Sequence, residues 1–180
     1  MMHRAALLRR EGIQEGHRYL VRPSVSEDAA ALTELRDAVA AEGDLIAAVP
    51  GERSALEEEL SLIGLVGEGG LSLTLDVDDA VAGHLMVRRR RGPRFDHVGE
   101  IAIIVHNTQR GLGFGRTLMQ VAIDWAGAVG ITKLSLGVFP DNERAIRLYR
   151  SLGFVDEGIA RGEVRMPDGE RDLLLMGLRL

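Results

Sequence analysis

The sequence predicts a mixed α/β fold built around one core. Short apolar runs with the alternation of β-strands are interspersed with segments whose apolar residues recur every three or four positions, as on an amphipathic helix. With 180 residues, 46% of them hydrophobic, the chain is long enough to bury one core and too short for two to be expected. We therefore expect a single domain over residues 17–180. Periodicity is weak over residues 1–16, where we expect a flexible N-terminal extension or a loosely docked helix.

The predicted elements follow one another as a strand, two helices, three strands, a helix, a strand, a helix and a final pair of strands. They lie at residues 19–22, 27–41, 54–62, 71–77, 81–88, 100–105, 114–129, 134–138, after 142, at 154–160 and at 172–178. Pro23 ends the first strand, and Ser24 and Ser26 are candidate N-caps for the helix that follows. Asp78 and Asp79 separate two alternating runs and therefore predict a hairpin turn.

A glycine-rich turn, residues 109–117, connects the strand that ends at Val105 to an amphipathic helix. The apolar positions of this helix have three-and-four spacing and are Phe114, Leu118, Val121, Trp125 and Val129. A turn of this kind exposes backbone N–H groups at a helix N-terminus, where the helix dipole adds roughly half a positive charge. The turn therefore predicts a site for a phosphate group.

Spacing excludes two common phosphate-binding motifs at this turn. The dinucleotide motif G-x-G-x-x-G needs a glycine at the position of Arg116, and the nucleotide-triphosphate loop needs a Gly-Lys pair that the turn lacks. Residues 110–115, RGLGFG, match the pattern [QR]-x-x-G-x-[GA] instead. Further along the chain, residues 142–154, NERAIRLYRSLGF, match N-x-x-A-x-x-L-Y-x-x-x-G-F.

Through these two motifs, which cover residues 100–154 with their flanking strands, the sequence resembles the GNAT superfamily of acetyl-CoA-dependent acyltransferases. The resemblance implies a mostly antiparallel central sheet that is flanked by helices and splayed between its fourth and fifth strands. These would be the strand that ends at Val105 and the strand that begins near Lys133. It further implies an N-acetyltransferase that transfers the acetyl group of acetyl-CoA to a primary amine of a small molecule, an amino acid or a peptide, by direct attack in a ternary complex.

The family's cofactor roles fall on a defined set of positions in this chain. The residues that the resemblance implies in binding acetyl-CoA are Ile104, Val105, Arg110, Gly111, Leu112, Gly113, Gly115, Arg116, Thr117 and Asn142. The backbone N–H of Ile104 or Val105 would also stabilise the oxyanion. For Arg116 and Thr117 the alternative is a solvated first helical turn, and for Asn142 it is an N-cap.

Two residues carry the catalytic predictions. Tyr149 matches the tyrosine of the second motif, which the resemblance implies in stabilising the leaving thiolate; a tyrosine packed in the core is the alternative. Glu100 is the first candidate for the general base, because the family often has a carboxylate near this position and strict alternation places Glu100 on one face with Ile104. His106, another carboxylate, a chain of waters or no dedicated base are the alternatives.

Composition and charge argue against several other classes of protein. The chain has no cysteine, which excludes disulfides and thiolate metal sites, and we expect no metal. Its net charge of −5 argues against nucleic-acid binding, and no apolar run reaches the roughly 20 residues that span a membrane. Residues 1–10 also lack the apolar stretch of a signal peptide, so we expect a cytoplasmic protein.

Several questions stay open at the level of sequence. A non-catalytic acyl-CoA-binding or sensor module of the same fold is the alternative function. The cluster Arg88–Arg91 either steers an acidic acceptor or forms a solvated hairpin tip. We expect residues 37–62 and 161–172 to shape the acceptor pocket, but they do not identify the amine, and a homodimer is left open.

Overall fold

The computed structural model describes residues 8–43 and 45–180, in which eight strands form one sheet flanked by four α-helices. The strands are β1 (Arg10–Gln14), β2 (His17–Pro23), β3 (Leu71–Val77), β4 (Ala80–Arg89), β5 (Val98–Val105), β6 (Lys133–Val138), β7 (Val155–Met166) and β8 (Gly169–Arg179). The helices are α1 (Ala29–Ala40), α2 (Ala55–Gly67), α3 (Phe114–Ala128) and α4 (Glu143–Ser151). The strand order is β1-β2-β3-β4-β5-β6-β8-β7, and every neighbouring pair is antiparallel except β5 with β6. The predicted mixed fold with a mostly antiparallel sheet is confirmed.

The sheet opens between β5 and β6. These strands pair only from Val98 with Lys133 to Glu100 with Ser135. Beyond that point the last five residues of β5 have no partner on this side, and a strand of that length extends roughly 16 Å. The splay lies between the predicted strands, although they are the fifth and sixth in the chain because β1 precedes them.

The first strand corrects an expectation for the N-terminal segment. Residues 10–14 form β1, which pairs antiparallel with β2, so the expectation of a flexible extension or a docked helix is wrong for this part. Residues 1–7 lie outside the described residues. β1 is an edge strand with a mostly exposed, polar sequence, and for this reason it lacks the apolar alternation by which strands are recognised. The single domain over residues 17–180 stays a prediction.

The two faces of the sheet bury different kinds of side chain. Helix α3 covers an apolar face, and the large side chains that are fully buried there include Leu73, Leu75, Leu85, Phe114, Leu118 and Met119. On the other face α1 and α2 pack through a smaller cluster of Leu32, Leu35, Val39 and Leu62. Polar residues, among them Ser72, Thr74 and His84, are buried on the sheet as well. The sheet thus combines a dry side with a polar side.

The first two helices begin in different ways, and only α2 has a side-chain N-cap. Neither Ser24 nor Ser26 caps α1; a short 3-10 turn precedes the helix, and the Asp28 carboxylate accepts a hydrogen bond from the Val25 N–H at 2.9 Å. Ser54 is the N-cap of α2, and its side chain and that of Glu57 form a capping box. Helix α2 ends at Gly67, five residues beyond the predicted end at position 62.

Candidate active site

A cavity of about 910 Å³ occupies the splay between β5 and β6. Its walls come from the free parts of both strands, from β4 and β8, from α1, α2 and α4, from the glycine turn and from residues 45–48. Gly111, Gly113 and Arg116 line one part of the cavity, and Arg53 and Glu58 line another. We call these the turn end and the far end.

The glycine turn presents free backbone N–H groups at the N-terminus of α3. Gly111 and Gly113 have φ angles of 87° and 86°, a left-handed conformation that favours glycine, and Gly113 is the N-cap of the helix. Within the described residues, the amides of Leu112, Gly113 and Gly115 form no backbone hydrogen bond. The Arg116 amide, by contrast, donates to the Gly113 carbonyl at 3.0 Å. Three of the four amides predicted to hold a pyrophosphate are therefore available.

Gln14, at the end of β1, supports this turn from below. Its side-chain amide donates to the Leu112 carbonyl, and its carbonyl accepts a hydrogen bond from the Thr117 hydroxyl at 3.2 Å. A Cβ atom at position 113 would collide with the Gln14 amide, so the glycine is also required by this contact. Thr117 is buried and bonded to Gln14, and its predicted hydroxyl contact to the cofactor is not what this structure shows. Sequence reasoning missed Gln14, because its contact lies 98 residues away at Leu112 and no local sequence pattern indicates so distant a contact.

Two arginines lie at the turn end. The Arg116 guanidinium donates to the Ser151 hydroxyl at 2.6 Å. Arg144, in the first turn of α4, reaches over the glycine turn: a Cβ atom placed on Gly111 would lie 3.1 Å from Arg144 Nη2. Over residues 8–43 and 45–180 Arg144 has no hydrogen bond or ion pair, and it lines the cavity. Sequence reasoning missed Arg144, although its place two residues after Asn142 was a usable signal.

Arg110 joins the end of β5 to the end of α1. Its Nε donates to the Val105 carbonyl at 2.8 Å, and its two Nη atoms donate to the Glu42 carboxylate at 2.6 and 2.7 Å. This bidentate pair lowers the pKa of Glu42. Arg110 lies at the edge of the turn as predicted, and its guanidinium is engaged by the protein itself.

The backbone of β5 separates the two candidate oxyanion donors. Backbone N–H groups along an antiparallel strand alternate between the strand's two sides. Because His106 donates to Ala82 of β4 and the register between the strands is regular, the Ile104 N–H faces β4, and the Val105 N–H faces the splay. Of the two predicted donors, only Val105 is directed at the cavity.

The second motif places Asn142 and Tyr149 in the cavity wall. Asn142 caps α4, since its Oδ1 accepts a hydrogen bond from the Ala145 N–H at 3.1 Å. Tyr149 is 8% exposed, and its ring packs against Phe154 with 5.9 Å between the centroids. Burial raises the pKa of the Tyr149 phenol to about 12. Its hydroxyl has no hydrogen-bond partner in the part of the chain that the structure describes, so it can donate to a ligand.

Neither predicted base lies in the cavity wall. Glu100 is exposed and forms a hydrogen-bonded ion pair with Arg90, with 3.0 Å between Glu100 Oε1 and Arg90 Nε. It is placed there because β5 and β6 are still paired at this residue, and the cavity opens only from Ile101 onward. His106 shares a 2.8 Å hydrogen bond with the Thr108 hydroxyl outside the cavity. The structure thus brings Tyr149 and the turn together and leaves Glu100 apart from them.

The far end of the cavity contains a buried carboxylate. Glu58 on α2 has a side chain only 3% exposed and forms an ion pair of 2.9 Å with Arg53. It lines the cavity with His84 of β4 and with Ala102, on the face of β5 that turns towards α1 and α2. Sequence reasoning named the surrounding segment as an acceptor pocket but did not single out Glu58, because an acidic residue in the first turn of a helix usually faces solvent.

His84 of the cavity wall also belongs to a buried chain of hydrogen-bonded polar side chains. Its Nε2 lies 2.8 Å from Ser72 Oγ, and hydrogen bonds of 2.8, 2.9 and 3.1 Å continue through Ser24 and Thr74 to Asp28. Burial lowers the pKa of His84 from 6.5 to about 4. The imidazole is therefore neutral at pH 7, and the chain is satisfied internally.

The arginine cluster of the β4 end is bonded to its surroundings. Arg89 donates to the Val129 carbonyl at 2.9 Å, Arg90 pairs with Glu100, and Arg91 pairs with Glu68. None of these arginines lines the cavity. Of the two predicted roles, this arrangement fits a solvated hairpin tip better than a site that steers an acidic acceptor.

The described residues contain neither a candidate metal site nor a candidate membrane-spanning helix. Residues 8–43 and 45–180 contain no group of three or more histidine, aspartate or glutamate side chains placed to hold a metal ion. In the same ranges, none of the helices has both the length and the apolar character needed to cross a membrane.

Comparison with known proteins gives consistent findings. The acetyltransferase (GNAT) family matches residues 38–154. An L-amino acid N-acetyltransferase of Escherichia coli is 31% identical over 86 residues, which are 47% of this chain and 53% of that protein. The ribosomal protein bS18-alanine N-acetyltransferase of Salmonella typhimurium is 32% identical over 120 residues, 67% of this chain and 78% of that protein. This chain therefore spans about half the length of the first relative and more of the second.

Among solved structures, a phosphinothricin acetyltransferase of the GNAT superfamily from Sinorhizobium meliloti, in complex with acetyl-CoA, has the same fold. The two superpose with a TM-score of 0.81 at 22% identity, over 89% of this chain and 87% of that one.

Proposed function

This chain belongs to the acetyltransferase (GNAT) family, and on that premise we propose that it is an N-acetyltransferase that moves the acetyl group of acetyl-CoA to a primary amine. The acceptor would be a small molecule, an amino acid or a peptide. One observation carries the proposal. The glycine turn with its free backbone amides, the Val105 N–H and the Tyr149 hydroxyl, which has no partner among the described residues, all face the cavity between β5 and β6. The named relatives act on L-amino acids and on an alanine of a ribosomal protein, and both kinds of acceptor offer an amine.

The turn end is the proposed site for the pyrophosphate of acetyl-CoA. The amides of Leu112, Gly113 and Gly115 and the N-terminus of α3 favour an anion there. Arg144, which has no partner in the described part of the chain, and Arg116 add positive charge beside them. Asn142 would contact the pantetheine arm through the amide nitrogen that its capping role leaves free. The fold relative that was solved with acetyl-CoA supports this choice of donor.

The proposed reaction joins the amine to the acetyl carbon inside the splay. The amine nitrogen attacks the thioester carbonyl, a C–N bond forms, and the C–S bond breaks with its electron pair on sulfur. The carbonyl oxygen carries a negative charge in the tetrahedral intermediate, where it would accept a hydrogen bond from the Val105 N–H. The sulfur would accept one from Tyr149, which lines the cavity.

Tyr149 would act as a hydrogen-bond donor rather than as a complete proton donor. Its pKa is about 12, while a thiol resembling cysteine has a pKa of about 8.5, so full transfer would be uphill by about 5 kcal/mol. A hydrogen bond that strengthens as negative charge develops on sulfur needs no such transfer. The thiolate then takes a proton from water.

Glu58 replaces Glu100 as the proposed acceptor of the amine's proton. It is the buried carboxylate of the cavity wall, and it lies on the side of β5 away from α3, from which an amine would approach the thioester without crossing the proposed pyrophosphate site. Glu100, in contrast, is exposed and paired with Arg90 outside the cavity. Transfer to Glu58 would occur directly or through one water.

A panel of amines tests the proposal. Purified protein with acetyl-CoA is expected to release free CoA thiol in the presence of a suitable amine and to yield the acetylated amine, identified by mass spectrometry. Tight acetyl-CoA binding without thiol release on a broad panel would contradict the transferase and support an acyl-CoA-binding module instead.

A further inference from the structure

We infer that the acceptor amine carries a carboxylate and that Arg36 and Arg53, at the far end of the cavity, bind it. This inference rests on the proposed acetyl transfer and narrows its acceptor to free amino acids and similar small amino acids. It separates them from polyamines and from the N-termini of peptides, in which no carboxylate accompanies the amine.

The two arginines reach the far end from different elements. Arg36 lies on α1 and Arg53 directly before the Ser54 cap of α2, and both line the cavity with Glu58. Arg53 donates to Glu58 through Nη1 at 2.9 Å, and its side chain is 34% exposed, so its other nitrogens are available to a ligand. The guanidinium pair therefore forms part of the wall against which an acceptor would lie.

Arg36 has an unused nitrogen at this place. Its Nη2 pairs with Glu52, which also accepts a hydrogen bond from the Val49 N–H. Its Nη1 is buried and has no hydrogen-bond partner in residues 8–43 and 45–180. A buried N–H without a partner is costly, and a carboxylate oxygen is the acceptor that satisfies a guanidinium best.

Arg36 lies among charges of both signs. Burial lowers the pKa of Arg36 and the nearby positive charge of Arg53 lowers it further, while the negative charges of Glu58 and Asp37 act in the opposite direction. A carboxylate between the two guanidinium groups would offset both effects. It would meet the more exposed Arg53 first, and binding at the buried Arg36 Nη1 requires the side chains that cover this atom to move.

The carboxylates of the cavity wall are already matched with arginines. Glu42 is held by Arg110 in a bidentate pair, and Glu58 is held by Arg53. The described wall thus offers no unpaired acidic side chain to a second ammonium group, as a polyamine would require. The amine of an amino acid, in contrast, needs only Glu58, while its carboxylate needs a cation.

The experiment compares free amino acids with their carboxamides as acceptors. The two have nearly the same shape, but only the acid carries the negative charge; because the amine of the carboxamide is less basic, kcat/KM is calculated for the free-amine form of each. Because a hydrogen bond to a charged group is worth about 10- to 150-fold, we expect kcat/KM of the wild-type protein to favour the acid by at least about 10-fold. In Arg36→Gln and in Arg53→Gln the preference is expected to fall to about 3-fold or less. Arg18→Gln is the matched control, because Arg18 is exposed and paired with Asp79 away from the cavity.

A second measurement on the wild-type protein does not depend on the variants' folding. A carboxylic acid that lacks the amine is expected to inhibit competitively against the amino acid, whereas its amide is not. Equal kcat/KM for acids and amides, or a preference that survives in both variants, overturns the inference while leaving the transferase intact. Absence of thiol release with every amino acid, amide, polyamine and peptide amine refutes the transferase itself, and the inference with it.

Discussion

Replacing Tyr149 by phenylalanine removes one oxygen atom from the wall of the cavity. The hydroxyl has no partner in the described protein, so its loss breaks no protein contact, and we expect the melting temperature to change by about 2 °C or less. In the proposed reaction the same hydroxyl would donate to the departing sulfur. A hydrogen bond to a charged group is worth about 1.5–3 kcal/mol, which predicts a decrease in kcat of about 10- to 150-fold.

The assay is steady-state thiol release at saturating amine, with acetyl-CoA varied. Because the bond forms as charge develops on sulfur, KM for acetyl-CoA should stay within about 2-fold of the wild-type value. The chain supplies its own control: Tyr19 is the only other tyrosine, and it packs edge-on against Phe114 with 5.9 Å between ring centroids, outside the cavity. Tyr19→Phe should leave kcat unchanged.

Two results would refute this reasoning. If Tyr149→Phe kept its kcat, the phenol would be a packing residue of the core beside Phe154. If instead KM rose while kcat stayed the same, Tyr149 would bind the cofactor in its ground state and take no part in departure of the sulfur.

The other predictions concern the cofactor, the base and pH. Arg144→Gln should weaken acetyl-CoA binding about 10-fold in calorimetry, most strongly at low salt. Arg147 is an exposed residue on the same helix, and Arg147→Gln should not weaken binding. Equal effects of the two variants would contradict a contact between Arg144 and the phosphates. Glu58→Gln should lower kcat at least about 10-fold, whereas Glu100→Gln should leave kcat unchanged. The reverse result would restore Glu100 as the base. The pKa of His84 is about 4 in the fold and 6.5 when unfolded, so stability is retained above pH 6.5 and is lost as pH falls to about 4. Denaturant titrations should show the free energy of unfolding falling by about 3 kcal/mol over this pH range. If His84→Gln lost as much stability in acid, His84 would not be the cause.

Features that depend on local sequence were predicted well. The glycine turn, the cap at Asn142 and the hairpin at Asp78 and Asp79 each lie within a few consecutive residues, and the structure has them where the sequence indicates. The position of the splay also followed, because both flanking strands are recognisable apolar runs. Local sequence patterns of this kind indicate the backbone conformation of a few consecutive residues.

Features that depend on distant contacts were missed. The turn's support comes from Gln14, on a strand whose polar, exposed sequence has no alternation to recognise. Glu100 has the face that alternation predicts, but its distance from the cavity depends on how far β5 and β6 stay paired, which is a property of the whole sheet. Glu58 is the converse case, since an ordinary acidic position in a first helical turn becomes buried only when α2 packs onto the sheet.

The contact between Gln14 and the glycine turn also bears on how this protein can be shortened. A chain trimmed at residue 17, where sequence periodicity begins, would keep β2 and every later element. It would lose β1 and with it both hydrogen bonds that Gln14 makes to the turn. We expect such a fragment to hold the glycine turn less firmly and to bind acetyl-CoA more weakly than a chain that keeps β1. An edge strand without a recognisable sequence pattern thus contributes to the proposed cofactor site.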